Sequence, residues 1–285
     1  MKPWKRSLSA TSREGTHKMN KLTRISAITV KDLMRQKSFY VLLAVAVAFV
    51  LLLRSCYQGN YTINGRPVDP AFLALHASVI AFHFIAAGML LMSVMLSMGI
   101  FSRDRDDGSM VMFLSRPVER WQYVLGRILG TWILSALFMF ILHLTITLIV
   151  LANTGTLVAG YLAASLLCSV NLLFAIVLTS ALSLFLPNVI AALFTLAVIG
   201  VSYVSDGAYQ LMQSELVRQM VSGESQASPW RILFPKVYML QHLASTWITS
   251  QAPDVLPPLY VGSNVLCYTV VIVAAALWRF YQSEI

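Results

Sequence analysis

Charge is scarce in this chain of 285 residues: 12% of positions are Asp, Glu, Lys or Arg, about half the share of roughly 25% found in soluble domains. Hydrophobic residues reach 58%. Such a balance cannot cover a water-facing surface, and it places the chain among polytopic membrane proteins. Cysteine is scarcer still. Cys56, Cys168 and Cys267 stand far apart, two of them inside apolar runs, so there is no disulfide framework and no C-x-x-C metal pair. No G-x-x-x-x-G-K-[ST] stretch occurs, which removes the usual phosphate cradle. Residues 1–18 are rich in Lys, Arg, Ser and Thr and hold no signal-type apolar core. Met19 offers a second start, and residues 1–18 read as a disordered extension whose deletion is expected to leave membrane insertion intact.

The charge that is present is unevenly spread. The net charge is +9, yet this is no nucleic-acid footprint. Ten of the 21 Lys/Arg lie in the first 37 residues and most others flank apolar runs, the positive-inside pattern. Six spans follow: Ser38–Leu53, Ala71–Phe101, Ile128–Leu151, Leu157–Leu184, Val189–Val204 (extending toward Met212) and Leu259–Trp278. The second is over-long for a hydrocarbon core of about 30 Å, so it tilts or projects. Asn153-Thr154-Gly155 and Pro187-Asn188 supply breaks. Placing the N-terminus inside puts sixteen Lys/Arg on the inner side and five on the outer, so both termini are expected in the cytoplasm and the chain in the cell inner (plasma) membrane. The fold class is all-α: six spans over residues 38–285, preceded over 19–37 by an interfacial helix that alternates Leu22, Ile25, Leu33 and Met34 with Arg24, Lys31 and Arg35.

Two outer segments stand out. Asn64-Gly65 in the first is a hairpin turn signal, since both central positions need positive φ. The last, 205–258, is too long for a plain turn. It reads as helical over Gly207–Met220, loop over Ser222–Ser228, and helical again over Trp230–Thr249. Its aromatic content suits partial re-entry or docking of an outer-side accessory protein, and equally a lid packed on its own bundle.

The charged inner segment 102–127 is the most informative stretch. It sets five Arg against four acids. Gly108 ends or breaks a helix, Ser109 caps a short next one to Phe113, Pro117 interrupts again, and Ser115 or Glu119 starts the run into the third span. The result is a short charged lever along the membrane. Asp107-Gly108-Ser109, then Leu114-Ser115-Arg116-Pro117-Val118-Glu119-Arg120, then Gly126-Arg127 resembles the cytoplasmic segment between the second and third spans of ABC-2 type permeases, the membrane subunits of ATP-driven exporters. The hairpin after the first span and Phe234-Pro235-Lys236 after the fifth resemble the subgroup of nitrous-oxide-reductase maturation and gliding permeases. Arg127 stands where that family often has Lys.

The resemblance implies a transport subunit without catalysis of its own. ATP and Mg would sit on a separate ATP-binding subunit, two of which clamp a pair of permeases, either two copies or a copy and a homologue. Arg103, Asp104, Arg105, Asp106, Asp107, Gly108, Ser109, Arg116, Pro117 and Arg120 would couple to that subunit, and spans two and five would line the path. His76 and His83, seven apart on one face, and Met89 and Met92 are candidate path-lining residues. Met89, Met92, Met95 and Met98 rotate by about 60° per step, so they cannot converge on one metal ion; an adaptable apolar lining is the reading. His76, His83 and His143 also raise the alternative of a haem-binding or assembly-scaffold protein without transport. Gly126-x-x-x-Gly130 fits a close helix-packing motif at the inner edge of the third span. No span carries charge enough to demand an ionic substrate, so a lipid, peptide, drug or other amphiphile all fit; membrane lipid is an expected partner and nucleic acid is not.

Overall fold

Apolar runs of this length can satisfy their backbone in hydrocarbon only as helix, and helices carry nearly all of the residues that the computed structural model describes: 21–56, 62–63, 66–67, 70–106, 108, 118–155, 157–158, 160–213, 234–249 and 257–282. In chain order these are α1 (Lys21–Met34), α2 (Lys37–Cys56), β1 (Thr62–Ile63), β2 (Arg66–Pro67), α3 (Pro70–Ser97), α4 (Ile100–Asp106), α5 (Arg120–Thr154), α6 (Gly160–Leu182), α7 (Asn188–Gln213), α8 (Val237–Thr249) and α9 (Pro258–Gln282). Five stretches are long and apolar enough to cross a membrane: Ala74–Asp104, which takes α3 and α4 together, and α5, α6, α7 and α9. The pair α1 and α2, meeting at 70°, makes a sixth when the two are taken together as one broken span. The all-α polytopic architecture is the one expected from the sequence.

The boundaries follow local chemistry. α3 relaxes into a turn at Met98-Gly99 before α4, while hydrogen bonds from Met98 N–H to Val94 O (3.0 Å) and from Arg103 N–H to Gly99 O (3.0 Å) carry the chain across. Glu119 is the N-cap of α5, and its N–H donates to Gln122 Oε1 at 3.3 Å, one half of a capping box. At 35 residues, α5 is about 52 Å long and must project beyond an apolar core of about 30 Å. Gly155 closes it at φ 68°, giving its N–H to Leu151 O at 2.9 Å. That left-handed cap explains the break read at Asn153-Thr154-Gly155. The pairs Thr62↔Pro67 and Ile63↔Arg66 form the hairpin around Asn64-Gly65.

α6 is the centre of the bundle, packed by α5, α8, α9 and α3. Small residues on it (Ala164, Ala175, Ser165) let its neighbours approach closely. Many Ser and Thr hydroxyls within the spans donate back along their own helices, as Thr147 to His143 O (2.9 Å) and Thr179 to Ala175 O (2.8 Å), whereas the buried hydroxyls of Ser135, Ser180 and Ser205 meet no partner among the described residues.

The outer segment holds the main departure from the sequence reading. Gly207–Gln213 is no separate helix but the last two turns of α7. Residues 214–233, which take in the expected loop, lie outside the described residues. α8 begins only at Val237, and it dips into the bundle. Asn171, midway along α6, donates from Nδ2 to Val237 O at 2.9 Å, while the other end of α8 reaches the first turn of α6. There a Cβ on Gly160 would stand 1.9 Å from the Trp247 carbonyl oxygen. Val237, Leu240 and Ala244 are fully buried. For residues 237–249 the structure therefore shows a helix packed on its own bundle, with its start level with the middle of α6.

Candidate coupling site

One end of the bundle gathers α1, α4, the start of α5, the 183–188 turn and the last turn of α9. α1 arrives there through Gly126 and Gly130 of α5. A Cβ on Gly126 would lie 2.7 Å from Ile25 Cγ2, and one on Gly130 would lie 2.6 Å from Thr29 Cβ and 2.7 Å from Ser26 O. The Gly126-x-x-x-Gly130 motif is thus a groove for a helix of the same chain. Ile25, Ser26 and Thr29 fill that groove, and Leu33 continues their buried stripe at helical spacing. Ser26 Oγ reaches both Leu22 O (3.0 Å) and Gly126 O (3.2 Å). Arg24, Lys31 and Arg35 remain exposed on the other faces of the α1 segment, along with Ile28 and Met34.

Arg127 lies between the two glycines and is buried. Its Nη2 is 2.5 Å from Asp104 Oδ2 of α4, and its Nη1 is 3.0 Å from Asp32 Oδ2 of α1. Nη1 also approaches Thr29 Oγ1 at 3.4 Å. The Tyr123 hydroxyl donates to Asp104, and the guanidinium carbon lies 5.9 Å from the Tyr123 ring centroid. A fixed guanidinium fork holds two carboxylates from two other elements, a geometry that Lys cannot reproduce. α1, α4 and α5 are fastened at one point. Nearby, Asn188 Nδ2 donates to Ser102 Oγ at 2.6 Å, and Arg120 Nη1 donates to Phe280 O (3.3 Å) and Tyr281 O (3.2 Å), the carbonyl end of α9 where a cation is favoured.

The residues expected to meet a partner therefore divide. Arg103, Asp106 and Gly108 are exposed, and Gly108 takes φ 66°, which ends α4 as expected. Asp104 instead turns inward to Arg127, and Arg120 is half-buried against α9. Asp107, Ser109, Arg116 and Pro117, and the side chain of Arg105, lie outside the described residues. The candidate path-lining residues do not share one surface. His76 is exposed and its Nδ1 lies 2.9 Å from Phe72 O. His83 Nδ1 is 2.9 Å from Gln241 Nε2 of α8. Met89 and Met92 are buried between α2, α3 and α5. His143 bonds Ser165 Oγ through Nδ1 at 2.8 Å and stacks on Phe82. Among the described residues no three of His, Cys, Asp and Glu come together as metal ligands.

A second polar cluster escaped the sequence reading. Lys236 Nζ and Asp206 Oδ1 pair at 3.1 Å with both side chains buried. Lys236 had counted as an outer-loop cation. α8 starts inside the bundle, so the backbone leading into it needs protein partners. Lys236 N–H donates to Asn264 Oδ1 (3.0 Å), and Pro235 O accepts from Ser202 Oγ (2.8 Å). Tyr203 bonds Gln241, and Gln210 bonds His242. The signal lay in Phe234-Pro235-Lys236 and in Asp206, two residues beyond the expected end of its span.

The model of the ABC-2 family transporter protein matches residues 24–285, from α1 through α9. The chain belongs to the ABC-2 transporter family. No curated protein matches it. ABC-2 membership agrees with a multi-pass permease.

Proposed function

We propose that this chain is the membrane-spanning permease subunit of an ATP-driven exporter. In this reading it forms the translocation path for an amphiphile, pairs with a second copy or a homologous permease, and takes its motion from a separate ATP-binding subunit that carries ATP and Mg. The observation that carries the reading is the Asp32–Arg127–Asp104 junction. A force applied to the chain between α4 and α5 enters a unit already locked to α1, so it moves the start of α5 as a body. Arg103 and Asp106 stand on the outside of that unit, free to meet a charged groove, and Gly108 sets the direction in which the chain leaves α4. The sixteen-to-five split of Lys/Arg supports placing this end in the cytoplasm, with both termini, in the inner membrane. The 70° turn between α1 and α2 then lays α1 along the headgroups, with Arg24, Lys31 and Arg35 at lipid phosphates.

The test is co-expression with the ATP-binding subunits of the same genome, followed by purification through a tag on this chain. Retention of one such subunit, with its ATP hydrolysis altered by the permease, is the expected result. A chain that purifies folded and alone against every such subunit contradicts the proposal.

A further inference from the structure

A cavity of about 230 Å³ lies between α2, α3 and α5. Val45 contributes from α2, Phe84, Gly88, Met89 and Met92 from α3, and Phe138 from α5; none of its lining side chains among the described residues is polar. Val45 and Phe84 are 62% and 60% exposed, whereas Met89 and Met92 are buried. The cavity is therefore a slot, open sideways past Val45 and Phe84 and closed at its base by two thioethers. The room comes from Gly88, since a Cβ built there meets nothing within 4 Å.

Its depth identifies what reaches it. Val45 and Phe138 sit near the middles of α2 and α5, about 12 Å along the helix from the first residue of α2. That is close to one leaflet of a core of about 30 Å. Exposed Lys31 and Arg35 stand just before α2, at the level where a lipid phosphate would lie. An apolar cavity of roughly 150 Å³ stays dry and takes a small apolar guest because a water there has no polar partner, and the lining of this slot offers none either. Left empty, its walls lose dispersion contacts. Unbranched, polarizable Met side chains adapt to a flexible chain.

We propose that the slot between α2, α3 and α5 binds an acyl chain of a membrane phospholipid, entering past Val45 and Phe84 and ending against Met89 and Met92, with the phosphate near Lys31 and Arg35. The site goes beyond the exporter reading and does not depend on an ATP-binding subunit.

The test uses the full chain in vesicles of phosphatidylethanolamine and phosphatidylglycerol doped with a phosphatidylglycerol whose acyl chain bears a diazirine near its methyl end. After irradiation, labelled peptides are located by mass spectrometry. Label is expected to concentrate on Phe84–Met92, above the level on the exposed α9 face at Val270 and Val271. It is expected to be lost in Gly88→Leu and in Ala46→Leu, two independent ways of filling the slot, and retained in Leu193→Ala on the exposed face of α7, away from the slot. Only variants that keep the wild-type melting behaviour are compared. Equal labelling of the slot and the α9 face would overturn the proposal, as would label persisting in both filled variants. Absence of slot labelling, with Val45→Cys cross-linking between two copies, would assign the slot to a second copy and overturn it as well.

Discussion

Arg127 in α5 holds Asp104 of α4 at 2.5 Å, with both side chains withdrawn from solvent, and reaches Asp32 of α1 with its other terminal nitrogen at 3.0 Å. Two helices joined by the charged segment, and the helix that precedes the first span, are thus held by one guanidinium. Its removal would leave the Asp104 carboxylate buried beside Tyr123 with its cation gone. Arg127→Met is expected to destabilise the protein by about 3–5 kcal/mol. Arg127→Lys should cost less, because the charge stays while the fork is lost, and Asp104→Asn should restore part of the loss in Arg127→Met. Thermal unfolding in detergent, followed for these three variants and the wild type, checks the order. Wild-type melting of Arg127→Met would contradict it.

The glycine groove gives a prediction with its own control. Gly126→Val and Gly130→Val should each cost about 1–3 kcal/mol by overpacking, since the added carbon meets Ile25, Thr29 or the Ser26 carbonyl oxygen below 3 Å. They should also expose α1 to protease, because that groove is where α1 packs. Gly88→Ala, with open space around its Cβ, should be neutral or mildly stabilising. Equal melting of all three variants would remove the groove from the account.

Lys236 and Asp206 form a buried pair, and such pairs are asymmetric to mutation. Lys236→Met alone strands the carboxylate and should cost about 3–5 kcal/mol, while adding Asp206→Leu should recover much of it. The same variants report on the packing of α8: in the single variant the start of α8 loosens, and Tyr238→Cys becomes reactive to a water-soluble maleimide. No stability difference between the single and double variants would mean that the pair does not hold α8.

Much of this fold could be read in advance because its determinants are local. Apolar run length fixed the spans, Gly155 and Glu119 fixed the limits of α5, and Asn64-Gly65 fixed the hairpin. Gly108 was readable for the same reason, since a single backbone angle decides it. The candidate site was legible only in part. A charged residue in an inner segment looks the same in sequence whether it faces solvent or its own bundle, so Asp104 was assigned outward. Its partner Arg127 is 23 positions away and Asp32 is 72 positions on the other side, and only the packing of α1 on Gly126 and Gly130 brings them together. Lys236 failed for the complementary reason. Nothing local tells a cation in an outer loop from one drawn into a bundle by an Asp 30 residues earlier.

Topology can be tested with thiols in a chain otherwise free of Cys. Position 106 is exposed at the α1 end, and the sixteen-to-five Lys/Arg split supports the proposal that this end faces inside. An impermeant maleimide should label Asp106→Cys only after the membrane is opened, and should label the native Cys56, restored alone, in intact cells. Labelling of position 106 in intact cells would invert the orientation and remove the cytoplasmic face on which coupling depends.

The central claim is that the exposed face of α4, aimed by Gly108, receives the ATP-binding subunit. The most direct measurement is the amount of that subunit retained by purified Arg103→Glu, Asp106→Arg and Gly108→Pro, with melting of the permease recorded alongside. Pro cannot adopt the φ of 66° found at Gly108, and charge reversal at a docking surface costs about 2–5 kcal/mol where the partner is left unpaired. The account predicts inserted permeases with near-wild-type melting and little or no ATP-binding subunit retained. Full retention by all three, with ATP hydrolysis still responding to the permease, would contradict it.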